Sequence, residues 1–363
     1  MEISGCSKKT LSKLLIMSVV VQKNKVCLLL IHNRHNSGLY DYCEIYNKAY
    51  SNSKIELLSD LYPYKSQWII FLFFFLYKKR INVQIKKQLK NYDIVHICDN
   101  PIYSLSILKL FEKNSINTIF TLHDPKSHIS NKIKLKIKNW FSNNNSKRIY
   151  KFISKSSSIK LHIHYKWDIP YLNNPIIQPH PHYPIENNKQ KELNDSLTIG
   201  FVGRLEYYKG FDIFIRIIKQ LDQFVQHKQV NVVIAGGGQI NEEIELKNIN
   251  LKLYNKFIES DSFDSLIQSI DIILLPYREA SQSGVLMKAI TYDIPVILND
   301  LDELTCYINS DTGCIIPISE EKMWVEKLLY FVQNKHEINK MSKNISKQKY
   351  IYNPEFIANE LYR

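Results

Sequence analysis

Two short segments hold most of the chemistry in this sequence. FVGRLEYYKGFDIF, residues 201–214, sets Arg204 and Lys209 on one loop just before a predicted helix start at Phe211. A diphosphate needs fixed positive charge and backbone donors, and two cations beside the N–H groups of a helix start supply both. A surface loop with scattered charge is the alternative reading. LLPYREASQSGVLMKAITYDIPVIL, 274–298, sets Glu279 at the tip of an apolar strand and Ser283, Gly284 and Val285 at a second predicted helix start. The N–H groups there suit a phosphate or a transferred sugar.

Other candidates are more scattered. The triple glycine Gly236–Gly238 follows the apolar run VNVVIA; it is either a tight turn or a place where a ligand meets backbone at Gly237. It is no dinucleotide-binding fingerprint, because the glycine spacing is wrong. Ser37 and Gly38 follow the first apolar strand, and Gly38 permits close backbone approach. His123 and Asp124 end TIFTLHD, where a histidine at a strand's carboxyl end faces the crevice and can bond a sugar hydroxyl; a satisfied structural histidine is the alternative reading. His180 in QPHPHY is structural or functional with equal force. His162 and His164 alternate along a strand, one facing in and one out, with no cysteine or acid cluster to make a metal site. Asp300 and Asp302 form a D-x-D read as a solvated turn. No metal and no other cofactor are expected.

GFVGRL with KG, then PYRE, SQSGV and PVI, resemble family 4 glycosyltransferases, and NSGLYDYC, TLHDPK and QPHPHY extend the likeness more weakly into the first half. The resemblance implies a GT-B fold: α/β, two Rossmann-like doubly wound domains facing across a cleft. It implies that Arg204 and Lys209 contact the donor diphosphate, that Gly38, Gly237, Ser283, Gly284 and Val285 line the donor, and that His123 and Glu279 act beside the transferred sugar. Many members carry two glutamates eight positions apart at the second loop. This sequence has Lys288 at the second position, and Glu279 stands one residue early. That departure puts in doubt how the ribose is held.

The elements that must position these groups follow from apolar runs. KVCLLLIH, DIVHIC, TIFTLHD and SSIKLHIH read as strands of a first sheet; LTIGFVG, VNVVIAGGG, LKLY, DIILLPY and PVILND as strands of a second. Helices are predicted at about 39–50, 211–227, 264–269, 284–292 and 320–334. The alternation is a βαβ pattern in each half. The predicted division is an N-terminal extension over 1–24, an acceptor-binding domain over 25–184, a linker over 185–196, a nucleotide-sugar-binding domain over 197–340, and a C-terminal segment over 341–363 that packs back toward the first domain. That last packing is implied by the resemblance alone.

Composition bounds the rest. The 363 residues with 45% apolar content suit two globular domains. The six cysteines form no C-x-x-C pair, and Cys27 lies in an apolar run, as a reduced compartment and a core thiol would have it. Charge is uneven: residues 1–195 carry 30 Lys/Arg against 13 Asp/Glu, and residues 196–363 carry 18 against 22. The basic half suits an anionic lipid surface. WIIFLFFFLY, 68–77, is too short to span a bilayer and reads as a buried or an interfacial helix. The expected protein is a hexosyltransferase-type enzyme, cytoplasmic or peripheral at the inner membrane face. It would move sugar from a nucleotide-sugar donor to a glycan or lipid-linked acceptor in surface polysaccharide synthesis, with no nucleic-acid partner, and the resemblance implies retention of configuration. Two rival readings stay open. The basic half, with KIKLKIK at 132–138, also suits a nucleic-acid-binding protein, although that leaves the two phosphate-type loops unexplained. Lys288 also suits a GT-B partner subunit without turnover.

Overall fold

A computed structural model of the chain describes residues 27–31, 38–57, 83, 87, 89, 91–98, 104–123, 144–166, 174–185, 196–240, 243–258 and 260–363. The chain divides into two compact units. Unit 1 reaches to Pro181 and takes back Tyr352–Arg363; unit 2 runs from His182 to Ile351.

In unit 1 the order is β1 (Cys27–Ile31), α1 (Gly38–Ala49), β2 (Ser53–Leu57), β3 (Ile94–Ile97), α2 (Ser104–Lys113), β4 (Thr118–Leu122), β5 (Ile159–Ile163) and β6 (Ile176–Ile177). A further helical stretch covers 144–153. The strands are parallel in the order β2-β1-β3-β4-β5-β6. Every residue of β3 and of β4 is buried, as expected of a parallel sheet covered on both faces. This corrects one expectation: His162 and His164 of β5 and its end do not split in and out, because both are buried. Covering both faces removes the solvent side that alternation presumes.

Unit 2 contains β7 (Leu197–Val202), a 3₁₀ turn (Tyr207–Lys209), α3 (Phe211–Leu221), β8 (Val230–Ala235), β9 (Asn250–Tyr254), α4 (Ser260–Gln268), β10 (Ile272–Leu275), α5 (Gly284–Thr291), β11 (Val296–Leu298), α6 (Asp302–Thr305), β12 (Gly313–Ile315), α7 (Glu321–Gln333) and α8 (Lys335–Gln348). Its parallel sheet is ordered β12-β11-β10-β7-β8-β9. The α3 helix buries Phe211, Ile213, Phe214, Ile217, Ile218 and Leu221, an apolar stripe at helical spacing. It stops six residues short of the predicted 227. Asp222 turns the chain: its carboxylate accepts from the backbone N–H groups of Lys247, Asn248 and Ile249, each at 2.8 Å. Burial pushes that carboxyl up, but these bonds outweigh it and hold it below its usual range.

The chain ends in α9 (Pro354–Tyr362), which belongs to unit 1. Asn353 caps it by accepting from Phe356 N–H at 2.9 Å, and Pro354 stands at the first helical position. Ile357, Ala358, Leu361 and Tyr362 join Cys27, Leu29, Tyr42, Cys43 and Tyr46 in one core cluster.

Candidate functional site

In the second sheet β7 lies between β8 and β10, so the strand order reverses between β7 and β10. A doubly wound sheet opens a crevice at the carboxyl ends of such a pair. Both segments singled out in the sequence end there. Gly203, at the end of β7, lies close enough to α5 that an added Cβ would sit 3.4 Å from Val285 Cγ2.

The β7 loop is built around Tyr208, which is buried. Arg204 donates from Nη2 to the Tyr208 hydroxyl and lies 5.4 Å from its ring centre, while its side chain stays 62% exposed. Gly210 ends the 3₁₀ turn with φ +68°, and a Cβ there would strike the Pro276 carbonyl, so only glycine lets this loop close onto the end of β10.

Tyr277, which the sequence reading passed over, holds the two loops together. It is fully buried, and Lys209 Nζ lies 3.8 Å from its ring centre. Burial pushes the Tyr277 hydroxyl up to about 12, against the pull of Ser283 and of the Arg204 charge. Its neighbour Arg278 points the other way. It donates to the carboxylate of Asp212 at 2.6 and 2.7 Å and to the Tyr207 carbonyl at 2.6 Å, tying the β10 loop to the first turn of α3. Burial pushes the Asp212 carboxyl up, but bonds from Arg278 and Arg216 outweigh it and hold it low. Only the Pro-Tyr-Arg order in PYRE hinted at this brace.

Ser283 caps α5, accepting from Leu286 N–H at 3.2 Å. The N–H groups of Gly284 and Val285 have no acceptor among the described residues, and Gly284 is exposed. These donors, with Arg204 and Lys209, can hold a diphosphate. Glu279 sits half-buried in the loop between β10 and α5. Asp300 and Asp302 are exposed, Asp302 opening the short helix α6. Among the described residues no group of three His, Cys, Asp or Glu side chains could hold a metal ion.

The three glycines after β8 have different causes. A Cβ on Gly236 would strike the Gly203 carbonyl, and one on Gly238 would strike Leu205, so both are demanded by packing between the β7 and β8 ends. Gly237 meets nothing nearer than 3.9 Å, at Phe257 N. Phe257 is 61% exposed.

Lys288 turns into unit 2. Its ammonium pairs with Asp264 Oδ1 of α4 at 2.5 Å and lies 4.3 Å from the Tyr183 ring centre, and the side chain is 8% exposed. Tyr292 donates to the other Asp264 oxygen at 2.8 Å. The cation that replaces an expected acid is thus neutralised inside the domain.

With this geometry in place, likeness to known proteins can be weighed. Residues 184–348 match the family model described as glycosyl transferases group 1. The match covers both phosphate-type loops and the Lys288 pair. An uncharacterized 41.2 kDa protein in the cps region of Klebsiella pneumoniae is 29% identical over 142 residues, 39% of this chain and 37% of that protein. The capsular polysaccharide biosynthesis glycosyltransferase CapM of Staphylococcus aureus is 24% identical over 161 residues, 40% of each chain. The aligned segment therefore spans about two fifths of these relatives' own length. Among solved structures, Anabaena HepE in complex with UDP-glucose superposes with a TM-score of 0.64 at 12% identity, covering 92% of this chain and 97% of that one. The fold is that of the GT-B glycosyltransferases, with a Rossmann-like α/β domain in each unit.

In unit 1, Gly38 opens α1. His123, just past β4, is 7% exposed; its Nε2 donates to the Cys98 carbonyl at 3.1 Å, and Tyr42 meets its ring edge-on at 4.6 Å. Its ring packs against those of Tyr42 and His164, and His164 in turn meets His180. Ser37, Asp124, the basic run 132–138, the apolar segment 68–77 and nearly all of the 185–196 linker lie outside the described residues. Among the described residues no helix is long and apolar enough to cross a membrane.

Proposed function

We propose that this chain is a glycosyltransferase of the family 4 type that moves a hexosyl group from a nucleotide-sugar donor to a glycan or lipid-linked glycan, with retention of configuration, in surface polysaccharide synthesis. The observation that carries this reading is the meeting of Arg204, Lys209 and the α5 start around Tyr277 at the strand-order reversal of the second sheet. Breaking the bond between sugar and diphosphate leaves negative charge on the departing phosphate. Two cations and two N–H groups fixed in advance stabilise that charge without reorganising. Glu279 holds sugar hydroxyls of the donor, His123 acts beside the transferred sugar, and Gly38 gives close backbone approach. The opening at Gly237 beside the exposed ring of Phe257 suits the flat face of a nucleobase. The capsular and cps-region relatives support the polysaccharide setting. The excess of 30 Lys/Arg over 13 Asp/Glu in residues 1–195 supports residence at the anionic inner face of the cell membrane.

Thermal shift with UDP-, GDP-, ADP- and CMP-sugars tests the donor half. A ligand that binds only the folded protein raises Tm, by about 2.7 kcal/mol of stabilisation at a hundredfold excess over Kd. One nucleotide class should raise Tm, and Arg204→Ala with Lys209→Ala should abolish the rise. No rise with any donor, or a rise untouched by the double variant, overturns the assignment.

A further inference from the structure

Among the described residues unit 1 holds five histidines almost wholly removed from solvent: His96, His123, His162, His164 and His180. They sit on β3, β4 and β5, at their ends and after β6. Their ring centres lie 4.9 Å apart for His162–His164, 5.1 Å for His164–His180, 5.6 Å for His123–His164 and 6.2 Å for His96–His162. Tyr42 of α1 meets His164 and His180 edge-on at 5.3 and 5.2 Å.

The partners fix where several protons sit. A carbonyl can only accept, so His164 carries its proton on Nδ1, which donates to Gln178 O at 3.2 Å, and His180 carries its proton on Nδ1, which donates to Pro181 O at 2.7 Å. His96 bridges Tyr362 Oη at 2.7 Å and Thr121 Oγ1 at 2.6 Å, and Thr121 bridges on to His162 Nδ1 at 2.8 Å. Nε2 of His162 and Nε2 of His164 are buried without a hydrogen-bond partner. A second proton on His164 would therefore add an N–H with no acceptor, beside other imidazoles.

The groups that face these rings are Cys27 of β1, Tyr42, Cys43 and Tyr46 of α1, Cys98 after β3 and Tyr362 of α9. Among the described residues no carboxylate bears on His96, His162 or His164; after burial, the charges that bear on them there are those of the other histidines. Unit 2 differs. His227 and His336 are exposed, and His182 is half-buried.

We propose that this belt of imidazoles makes unit 1 an acid-sensitive body: mild acid protonates the histidines only as their rings leave the core, so unit 1 opens while unit 2 stays folded. The sign follows from the two states. In the open chain a histidine gains its proton near pH 6.5, the ordinary value. In the folded unit, burial first and neighbouring imidazoles second push His96 and His180 down to about 3, and hold His162 and His164 well below the ordinary value. Full stability is present above about pH 6.5 and is lost as pH falls between the two values, by up to about tenfold in the opening constant per histidine per pH unit.

Peptide-resolved hydrogen exchange on the full chain, from about pH 7.5 to about pH 4.5 and corrected for intrinsic exchange chemistry, tests this. The opening of β3, β4 and β5 should rise by at least about 10²-fold per pH unit below about pH 6, the slope of two or more protons. Over the same range β7, β8 and β10 should keep their protection. His164→Gln should flatten the slope by about one proton. If that variant does not fold, the wild-type slope and the pH dependence of urea unfolding decide alone. Opening of both units at one pH, or a slope below one proton, overturns the proposal.

Discussion

At the carboxyl ends of β7 and β10, unit 2 sets Arg204 and Gly284 in solvent and Lys209 half out of it. In β5 and at the ends of β4 and β5, unit 1 buries His123, His162 and His164. Both sheets are parallel and six-stranded. What differs is the state each end can hold. Charged side chains in unit 2 stand beside water, a ring face or a carboxylate. The imidazoles of unit 1 are shut away from water, and Nε2 of His162 and Nε2 of His164 have no hydrogen-bond partner there. Strand topology therefore fixes where a site opens, and burial of the groups placed there fixes what charge the site can meet.

The comparison can be broken where unit 2 also buries charge. Lys288 and Asp264 form a pair with 8% and 20% side-chain exposure. Removing one partner of a buried pair costs about 3–5 kcal/mol. Lys288→Met should fall near the lower end, about 3 kcal/mol, because Asp264 keeps its bond from Tyr292. Urea unfolding should show the loss in unit 2. Lys288→Met combined with Asp264→Leu should recover much of it. A near-neutral single variant would mean that unit 2 tolerates an unpaired inner charge, and the contrast with unit 1 would fail.

The exposed cations give the next largest effect. Arg204→Ala or Lys209→Ala should each lower turnover by about 10²-fold, about 2.7 kcal/mol of transition-state stabilisation. Because both act on one diphosphate, the double variant should lose less than the product of the two losses. Stability should change little for Arg204, whose side chain is mostly solvated. Steady-state kinetics on the best donor reads the effect. Wild-type turnover in the double variant would move the donor site away from the β7–β10 reversal.

The strand–loop–helix turns after β7 and β10 were legible because each is a buried apolar run followed by polar residues, glycine and a helix start. The belt of unit 1 was not. Alternation along SSIKLHIH predicts one histidine in and one out, and a sheet covered on both faces defeats that rule. Strand β2 escaped notice because SKIEL mixes charge with few apolar residues, and β12 because it has only three residues. Helix α8 buries only Ile338 and Ile345, too few for a periodic signal. The Lys288–Asp264 pair joins residues 24 apart on different helices. No local spacing reports a contact of that kind. Glu279, read from the sequence at a strand tip, stands beyond the end of β10 in the loop that leads to α5.

The finest test compares two helix caps, one in each unit. Ser283 caps α5 by accepting from Leu286 N–H at 3.2 Å, and Asn353 caps α9 by accepting from Phe356 N–H at 2.9 Å. Each is the side-chain acceptor that an N-terminal turn needs, and replacing it with alanine costs about 1 kcal/mol. Ser283→Ala and Asn353→Ala should therefore lower stability by similar amounts in urea unfolding. Their effects on nucleotide affinity should part. Ser283 stands at the helix start proposed to hold the donor phosphate, with Gly284 and Val285 N–H groups left in place by the substitution. Its loss should weaken nucleotide binding by no more than about tenfold, since the backbone donors remain and a typical hydrogen bond contributes about 0.5–1.5 kcal/mol net. Asn353→Ala should leave nucleotide affinity unchanged, because α9 belongs to unit 1 and touches the tyrosine and cysteine core instead. Equal weakening by both variants would mean that binding follows global stability, and α5 would lose its standing as the phosphate-facing helix.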